Sequence, residues 1–161
     1  MSTPLRANFI GCGKLGKTFG YLFAKNKSIA IQNIMTKSKE TSQNAIEFIG
    51  QLLQKHQATP HSIFVHFSGV LTSDELNSAG NLGYATASVH PIKSFGSPKD
   101  NIQNIKGTMC SYEGAAEFFD LFSKMITGIG WELFSIQKDK KVLYHLGCVE
   151  VINSMVTLAH F

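Results

Sequence analysis

Gly11, Gly13 and Gly16 stand at G-x-G-x-x-G spacing, between an apolar run ending at Ile10 and an apolar helical pattern opening at Leu15. Glycines so placed permit a tight strand-to-helix turn, let backbone approach a pyrophosphate, and let helix and sheet pack closely. The helix N-terminus adds free N–H groups and the positive end of a dipole. Gly11, Cys12, Gly13, Lys14, Leu15 and Gly16 therefore form a candidate dinucleotide cradle, in which Cys12 is expected to fill space rather than react. The same residues spell a second motif. Gly11-x-x-x-x-Gly16-Lys17-Thr18 matches a P-loop, whose Lys and Thr serve a triphosphate and magnesium. One motif implies hydride transfer and the other phosphoryl transfer. A glycine turn that holds nothing is the third possibility.

Acidic residues separate these readings. A P-loop enzyme needs an Asp at the end of an apolar strand to hold magnesium. The run 62–67 ends in Ser68-Gly69 and the run 84–89 ends in His90-Pro91, so neither closes on an acid. A dinucleotide fold wants an acid after its second strand, for the ribose 2′-hydroxyl. That place reads Met35-Thr36-Lys37-Ser38-Lys39. Thr36, Lys37 and Ser38 suit a 2′-phosphate instead, and favour NADP over NAD; a solvated loop is the plain alternative. Ser68 and Gly69 offer a hydroxyl and N–H groups that could meet a nicotinamide amide or a substrate oxygen, or they make an ordinary turn. His90 is held extended by Pro91. It ends a strand where open α/β sheets bind ligands, so it could bind a carbonyl or move a proton.

The elements that must carry these residues follow from periodicity. Strands are expected at 6–10, 29–35, 62–67, 84–89, 107–112 and 131–136. Helices are expected at 15–25, 40–57, 115–126 and from 138 onward, with a short one capped by Ser73. Residues 93–104 read as a loop. Strands alternating with helices argue an α/β, doubly wound, mostly parallel sheet over 1–137. The segment 138–161 is one further helix, with Lys141 expected in solvent. Its face of Cys148, Val149, Ile152, Met155, Val156 and Ala159 is apolar and needs cover, so a homodimer through it is expected.

Composition narrows the classes. The chain has 161 residues, 43% of them hydrophobic, and a formal charge of +4. Cys12, Cys110 and Cys148 are too scattered for a disulfide framework or a zinc knuckle, and a reducing cytoplasm is the simplest setting. No signal peptide or membrane-length apolar run is evident. The lysines are spread, not clustered with aromatics, so no nucleic-acid partner is expected, and a small anionic molecule is favoured. His56, His61 and His66 recur regularly but lack acidic or thiolate partners, which argues against a metal.

Four motifs occur in order: Ile10-Gly11-Cys12-Gly13-Lys14-Leu15-Gly16; His66-Phe67-Ser68-Gly69; Ser88-Val89-His90-Pro91-Ile92-Lys93-Ser94-Phe95; and Tyr144-His145 with Asn153 downstream. Together they resemble a family of Rossmann-like proteins described as candidate NADP-dependent oxidoreductases, with a helical domain of unknown function behind the nucleotide fold. That family is similar to pyrroline-carboxylate reductase, deazaflavin-dependent NADP reductase and prephenate dehydrogenase, the last of which also carries a His-Pro pair. The likeness spans nearly the whole chain. It implies NADP, or else NAD, and a small carbonyl, imine or hydroxy-acid substrate. It places Ser68, Gly69 and His90 on the nicotinamide side, with His145 and Asn153 across the cleft; His90, His145 and Asn153 become the catalytic candidates. Two departures accompany it. The strand–helix unit expected before the strand ending in Ser68-Gly69 is missing, and only the first helix of the helical domain is present. A shortened oxidoreductase is therefore expected; a non-catalytic nucleotide-binding or dimerisation module is the alternative, and a P-loop nucleotidase the third reading.

Overall fold

The computed structural model describes residues 5–10, 13–27, 29–35, 62–97, 102 and 106–159. Strand β1 (Leu5–Ile10) runs into helix α1 (Lys14–Lys25), which returns to β2 (Ile29–Met35). β1 and β2 pair in parallel, so α1 is the crossover of a βαβ unit. β3 (Ile63–His66) is followed by a 3₁₀ turn (Ser73–Leu76) and the one-turn α2 (Asn77–Gly80). Then come β4 (Ala85–Pro91), β5 (Met109–Gly114), α3 (Phe119–Gly128), β6 (Glu132–Ser135) and the long α4 (Lys141–Leu158). Among the described residues, β3-β4-β5-β6 form one four-stranded sheet and β1-β2 a separate pair. The expected α/β, mostly parallel architecture is present.

One pairing breaks the parallel pattern. β4 and β5 are antiparallel, with Ser88 opposite Glu113 and His90 opposite Ser111. β3–β4 and β5–β6 are parallel. β4 also runs two residues past its expected end and includes His90 and Pro91. A proline is tolerated there because β3 stops at His66, opposite Ser88, and leaves the last residues of β4 at an edge.

Strand residues alternate between faces, and cross-strand partners share a face. On one face lie Val65, Ala87, Val89, Cys110 and Tyr112, which belong to or pack against the apolar core. α1 and α3 cover it. Phe19 of α1 is fully buried, stacks on Phe67 at 4.8 Å and meets Trp131 edge-on at 5.0 Å. Tyr112 packs against Phe119 and Phe122 of α3. The opposite face carries His66, Ser88, His90, Ser111 and Glu113. α4 meets that second face, where its Tyr144 lies edge-on to Phe134 at 5.5 Å. Gly114 ends β5 at φ 134°, and a Cβ there would lie 2.6 Å from the Ala87 Cα, so only glycine fits.

Candidate active site

Two histidines converge above Gly69. His90 sits near the end of β4 on the polar face. Its Nδ1 lies 3.4 Å from the Phe67 carbonyl oxygen, which can only accept, so Nδ1 carries the proton and the neutral ring offers Nε2 as an acceptor. His145, one turn into α4, meets the His90 ring edge-on at 5.1 Å between centroids. Its Nδ1 is buried and has no hydrogen-bond partner. Gly69 makes this convergence possible. A Cβ there would overlap the His145 ring at Nδ1 and come within 2.8 Å of His90 Nε2. Burial holds the His90 imidazole below its ordinary pKa; the Phe67 carbonyl opposes this, and the charges of His145 and Lys141 add to it.

A second polar layer lies beside that pair. His66 donates from Nε2 to the Thr72 carbonyl at 2.8 Å, and its Nδ1 accepts the Ser68 N–H at 3.2 Å. The Ser88 hydroxyl lies 3.5 Å from the same Nδ1. Lys141, expected in solvent, is instead 1% exposed. Its ammonium donates to Ser88 Oγ and, at 3.3 Å, to Glu113 Oε1. Glu113 also accepts the Ser73 N–H at 2.7 Å and the Ser73 hydroxyl at 2.8 Å. Ser73 is thus a carboxylate ligand rather than a helix cap, and Thr72 occupies the cap position. Both placements have one cause. Glu113 is fixed on a buried strand, an unpaired buried carboxylate is costly, and the first residue of α4 supplies the cation.

A buried Ser–Lys contact has the composition of an activated nucleophile. This one is not arranged as such. Ser88 is wholly buried, and Lys141 shares its protons with a carboxylate instead of standing ready to accept one. Burial pulls the Lys141 pKa down and Glu113 pulls it back up.

The other sequence candidates fall in four groups. Gly13 caps α1 with extended backbone, nothing lies within 4 Å of its Cβ position, and no side chain caps the helix. Lys14 is exposed, while Leu15 and Gly16 are half-buried. The first turn of α1 holds no acid, so it fits an anionic phosphate. Thr18 is buried and its hydroxyl donates to the Lys14 carbonyl at 2.8 Å, which occupies the group a P-loop would give to magnesium. The Ser68 hydroxyl accepts the N–H groups of Val70 and Leu71, at 3.3 and 3.1 Å, and so shapes the turn beneath the histidines. Asn153 is exposed, two helical turns past His145 and about 12 Å along the axis from it. Gly11, Cys12, Thr36, Lys37 and Ser38 lie outside the described residues. Among the described residues no cluster of His, Cys, Asp or Glu could hold a metal, and no helix is long and apolar enough to cross a membrane.

No family model matches the chain, and no curated protein matches it. Solved structures do. Protein TM1727 from Thermotoga maritima superposes with a TM-score of 0.60 at 23% identity, over 95% of this chain and 66% of that one. BF3122 from Bacteroides fragilis, described as a candidate NADP oxidoreductase, gives 0.69 at 12% identity, over 98% and 71%. A 1-pyrroline-5-carboxylate reductase from Streptococcus pyogenes gives 0.51 at 13%, over 99% and 79%. This chain therefore spans a little under two-thirds of the length of the Thermotoga structure. At these identities the likeness is one of fold, and the fold is Rossmann-like.

Proposed function

We propose that this chain is an NADP-binding oxidoreductase domain. It would move a hydride between the nicotinamide and a small carbonyl, imine or hydroxy-acid substrate. The observation that carries this reading is the meeting of His90 and His145 over Gly69 at the ends of β3 and β4, where open α/β sheets take their ligands. A hydride transfer to or from a C–O or C–N bond needs a partner for the accompanying proton. His90 Nε2 is an acceptor held in a fixed tautomer, and the His145 Nδ1 beside it is buried without a partner. The bound dinucleotide would supply the hydride or accept it. The uncapped first turn of α1, with Gly11, Cys12, Gly13, Lys14, Leu15 and Gly16, would receive the pyrophosphate. Thr36, Lys37 and Ser38 would meet the adenosine ribose and its 2′-phosphate.

Isothermal calorimetry with NADPH, NADH and ATP–Mg tests the reading. NADPH should bind at least about tenfold more tightly than NADH, as a charge-assisted phosphate contact predicts. Absence of binding by either dinucleotide would leave the non-catalytic module, and tight ATP–Mg binding would revive the P-loop.

A second copy of the chain is the proposed partner. α4 shows bare apolar side chains on every side, including Val142, Leu143, Leu146, Val151, Met155 and Leu158. A patch of that kind marks an interface. Light scattering should return a dimer mass.

A further inference from the structure

The proposed chemistry leaves His66 without a task, although its ring ties down both ends of the loop 68–72. It donates from Nε2 to the Thr72 carbonyl at 2.8 Å and accepts the Ser68 N–H at Nδ1, at 3.2 Å. Between these ties the Ser68 hydroxyl accepts the N–H groups of Val70 and Leu71. The Ser88 hydroxyl adds a longer contact, 3.4 Å, to the Ser68 carbonyl. Val70 and Leu71 are exposed, so apolar packing does little to hold the loop shut. Gly69 lies inside this loop, and the notch above it is full. A Cβ there would already overlap the His145 ring, whose Nδ1 is buried with no partner. Anything that is to meet that nitrogen needs the loop to give way. We infer that His66 is a proton-operated clasp on the loop: neutral, it holds Gly69 against the histidine pair; doubly protonated, it lets the loop go and opens the His145 nitrogen to solvent. The inference concerns the loop itself and stands whether or not the chain binds a dinucleotide.

The tautomer makes the clasp sensitive to a single proton. A carbonyl oxygen only accepts, so the bond to Thr72 fixes the ring proton on Nε2 and leaves a lone pair on Nδ1. The Ser68 N–H needs that lone pair. A second proton, on Nδ1, would point at the Ser68 N–H, which is a donor, and at the Ser88 hydroxyl 3.5 Å away, whose oxygen already receives the Lys141 ammonium. The imidazolium therefore cannot keep Ser68, and Ser68 takes its bonds to Val70 and Leu71 with it. Nε2 still donates to Thr72, so the loop opens from its Ser68 end and stays hinged at Thr72. Charged groups face the ring from three elements: Lys141 from α4, Glu113 from β5 and Glu75 from the 3₁₀ turn, while β4 presents the uncharged Ser88. Lys141 and Glu113 offset each other as an ion pair. Burial is the first cause that holds the His66 pKa below its ordinary value, and the Thr72 carbonyl opposes it. An opened loop returns the ring to water, so the open form takes the proton more readily, and by linkage the proton favours the open form. The clasp is closed above the ordinary imidazole value of about 6.5 and is released as pH falls toward the lower value of the closed form.

The test is an NMR titration of the full chain with no ligand added. At about pH 8 the ring nitrogens of His66 should report the proton on Nε2 and a free lone pair on Nδ1. Lowering the pH to about 5 should protonate Nδ1 and, in the same transition, cut the hydrogen-exchange protection of the Ser68 amide at least about tenfold after correction for the intrinsic rate. The His145 ring signals should move with it, while the Trp131 indole in the core stays in place. His66→Asn keeps an oxygen that can accept the Ser68 N–H, as an Asx-turn does, but takes no proton. Its Ser68 amide should stay protected throughout the titration. His66→Phe removes the acceptor and should leave Ser68 at least about tenfold less protected even at about pH 8. Where the Phe variant does not fold, the native titration and the Asn variant decide. His90 and His145 are intact in both variants, so an acid transition that belongs to them would survive His66→Asn. Loss of Ser68 protection on acidification of His66→Asn, protection that persists in the native chain once Nδ1 is protonated, a native His66 with its proton on Nδ1 at the start, or a Trp131 indole that moves together with Ser68 would each overturn the clasp.

Discussion

The two faces of the four-stranded sheet use the same strands to opposite ends. On one, Val65, Ala87, Val89, Cys110 and Tyr112 join α1 and α3 in a dry core. On the other, one residue along each strand, His66, Ser88, His90 and Glu113 meet the foot of α4. The first face gains free energy by removing carbon from water. The second spends desolvation to hold charges and imidazoles in fixed directions, and its net contribution to folding is small or negative. Stability and chemistry are thus separated by a period of two residues, and each can be disturbed with little change to the other.

Phe19→Ala should break the first face and produce the largest loss. The ring is fully buried between Phe67 and Trp131, so truncation leaves a cavity costing about 4 kcal/mol in urea unfolding. A loss under about 1 kcal/mol would mean that α1 does not cover the sheet as described. Lys141→Met comes next, at about 3 kcal/mol, because it strands the Glu113 carboxylate. The double variant Lys141→Met/Glu113→Gln should recover all but about 1 kcal/mol of this. Failure to recover would show that the pair stabilises the fold in its own right, and would erase the contrast between the faces.

Much of this division was written in the sequence. The apolar helical pattern opening at Leu15 locates α1, and the strand expected at 29–35 matches β2 at both ends. Spacing alone could not bring His90 to His145; the family resemblance set them on opposite sides of one cleft, and the contact of β4 with α4 makes them neighbours. Lys141 is read as solvated because it stands beside Lys138 and Lys140 near a helix start, where lysines normally are. A signal for it did exist. Thr86, Ser88 and His90 alternate with Ala87, Val89 and Pro91, and Glu113 falls on a strand that is otherwise uncharged. A polar residue at every second strand position beneath an apolar helix, with one acid among them, calls for a buried cation. What the spacing could not show is which lysine answers.

Gly69→Ala sharpens the contrast on the polar side alone. The added methyl must displace the His145 or His90 ring, at about 2 kcal/mol, the usual cost of overpacking. The decisive readout is local. The ring signals of both histidines should shift while those of Phe19 and Trp131 stay in place, since these lie on the other face. Movement at Trp131 would show that the faces are mechanically coupled through the strands.

The smallest effect is also the most discriminating, because the faces should fail at opposite ends of the pH scale. Burial is the first cause in each case. It lowers the pKa of His66 and of His90, and it raises Cys110 and Tyr112 to about 12 each. A histidine depressed in the fold binds fewer protons there than in the unfolded chain once pH falls below the ordinary value of about 6.5. Its stabilisation is therefore complete above that value and is lost as pH drops toward the folded pKa. The raised thiol and phenol behave in reverse: their share is complete below their ordinary values and is lost as pH climbs toward about 12. Lys141, depressed by burial, opposes the alkaline loss, so single substitutions are needed to read each group. His90→Asn should flatten the acid limb of the stability–pH curve and leave the alkaline limb alone. Cys110→Ala should flatten the alkaline limb only, each by less than about 1.4 kcal/mol per pH unit. A His90 variant that alters the alkaline limb, or a Cys110 variant that alters the acid limb, would mean that protons on one face are felt through the sheet by the other.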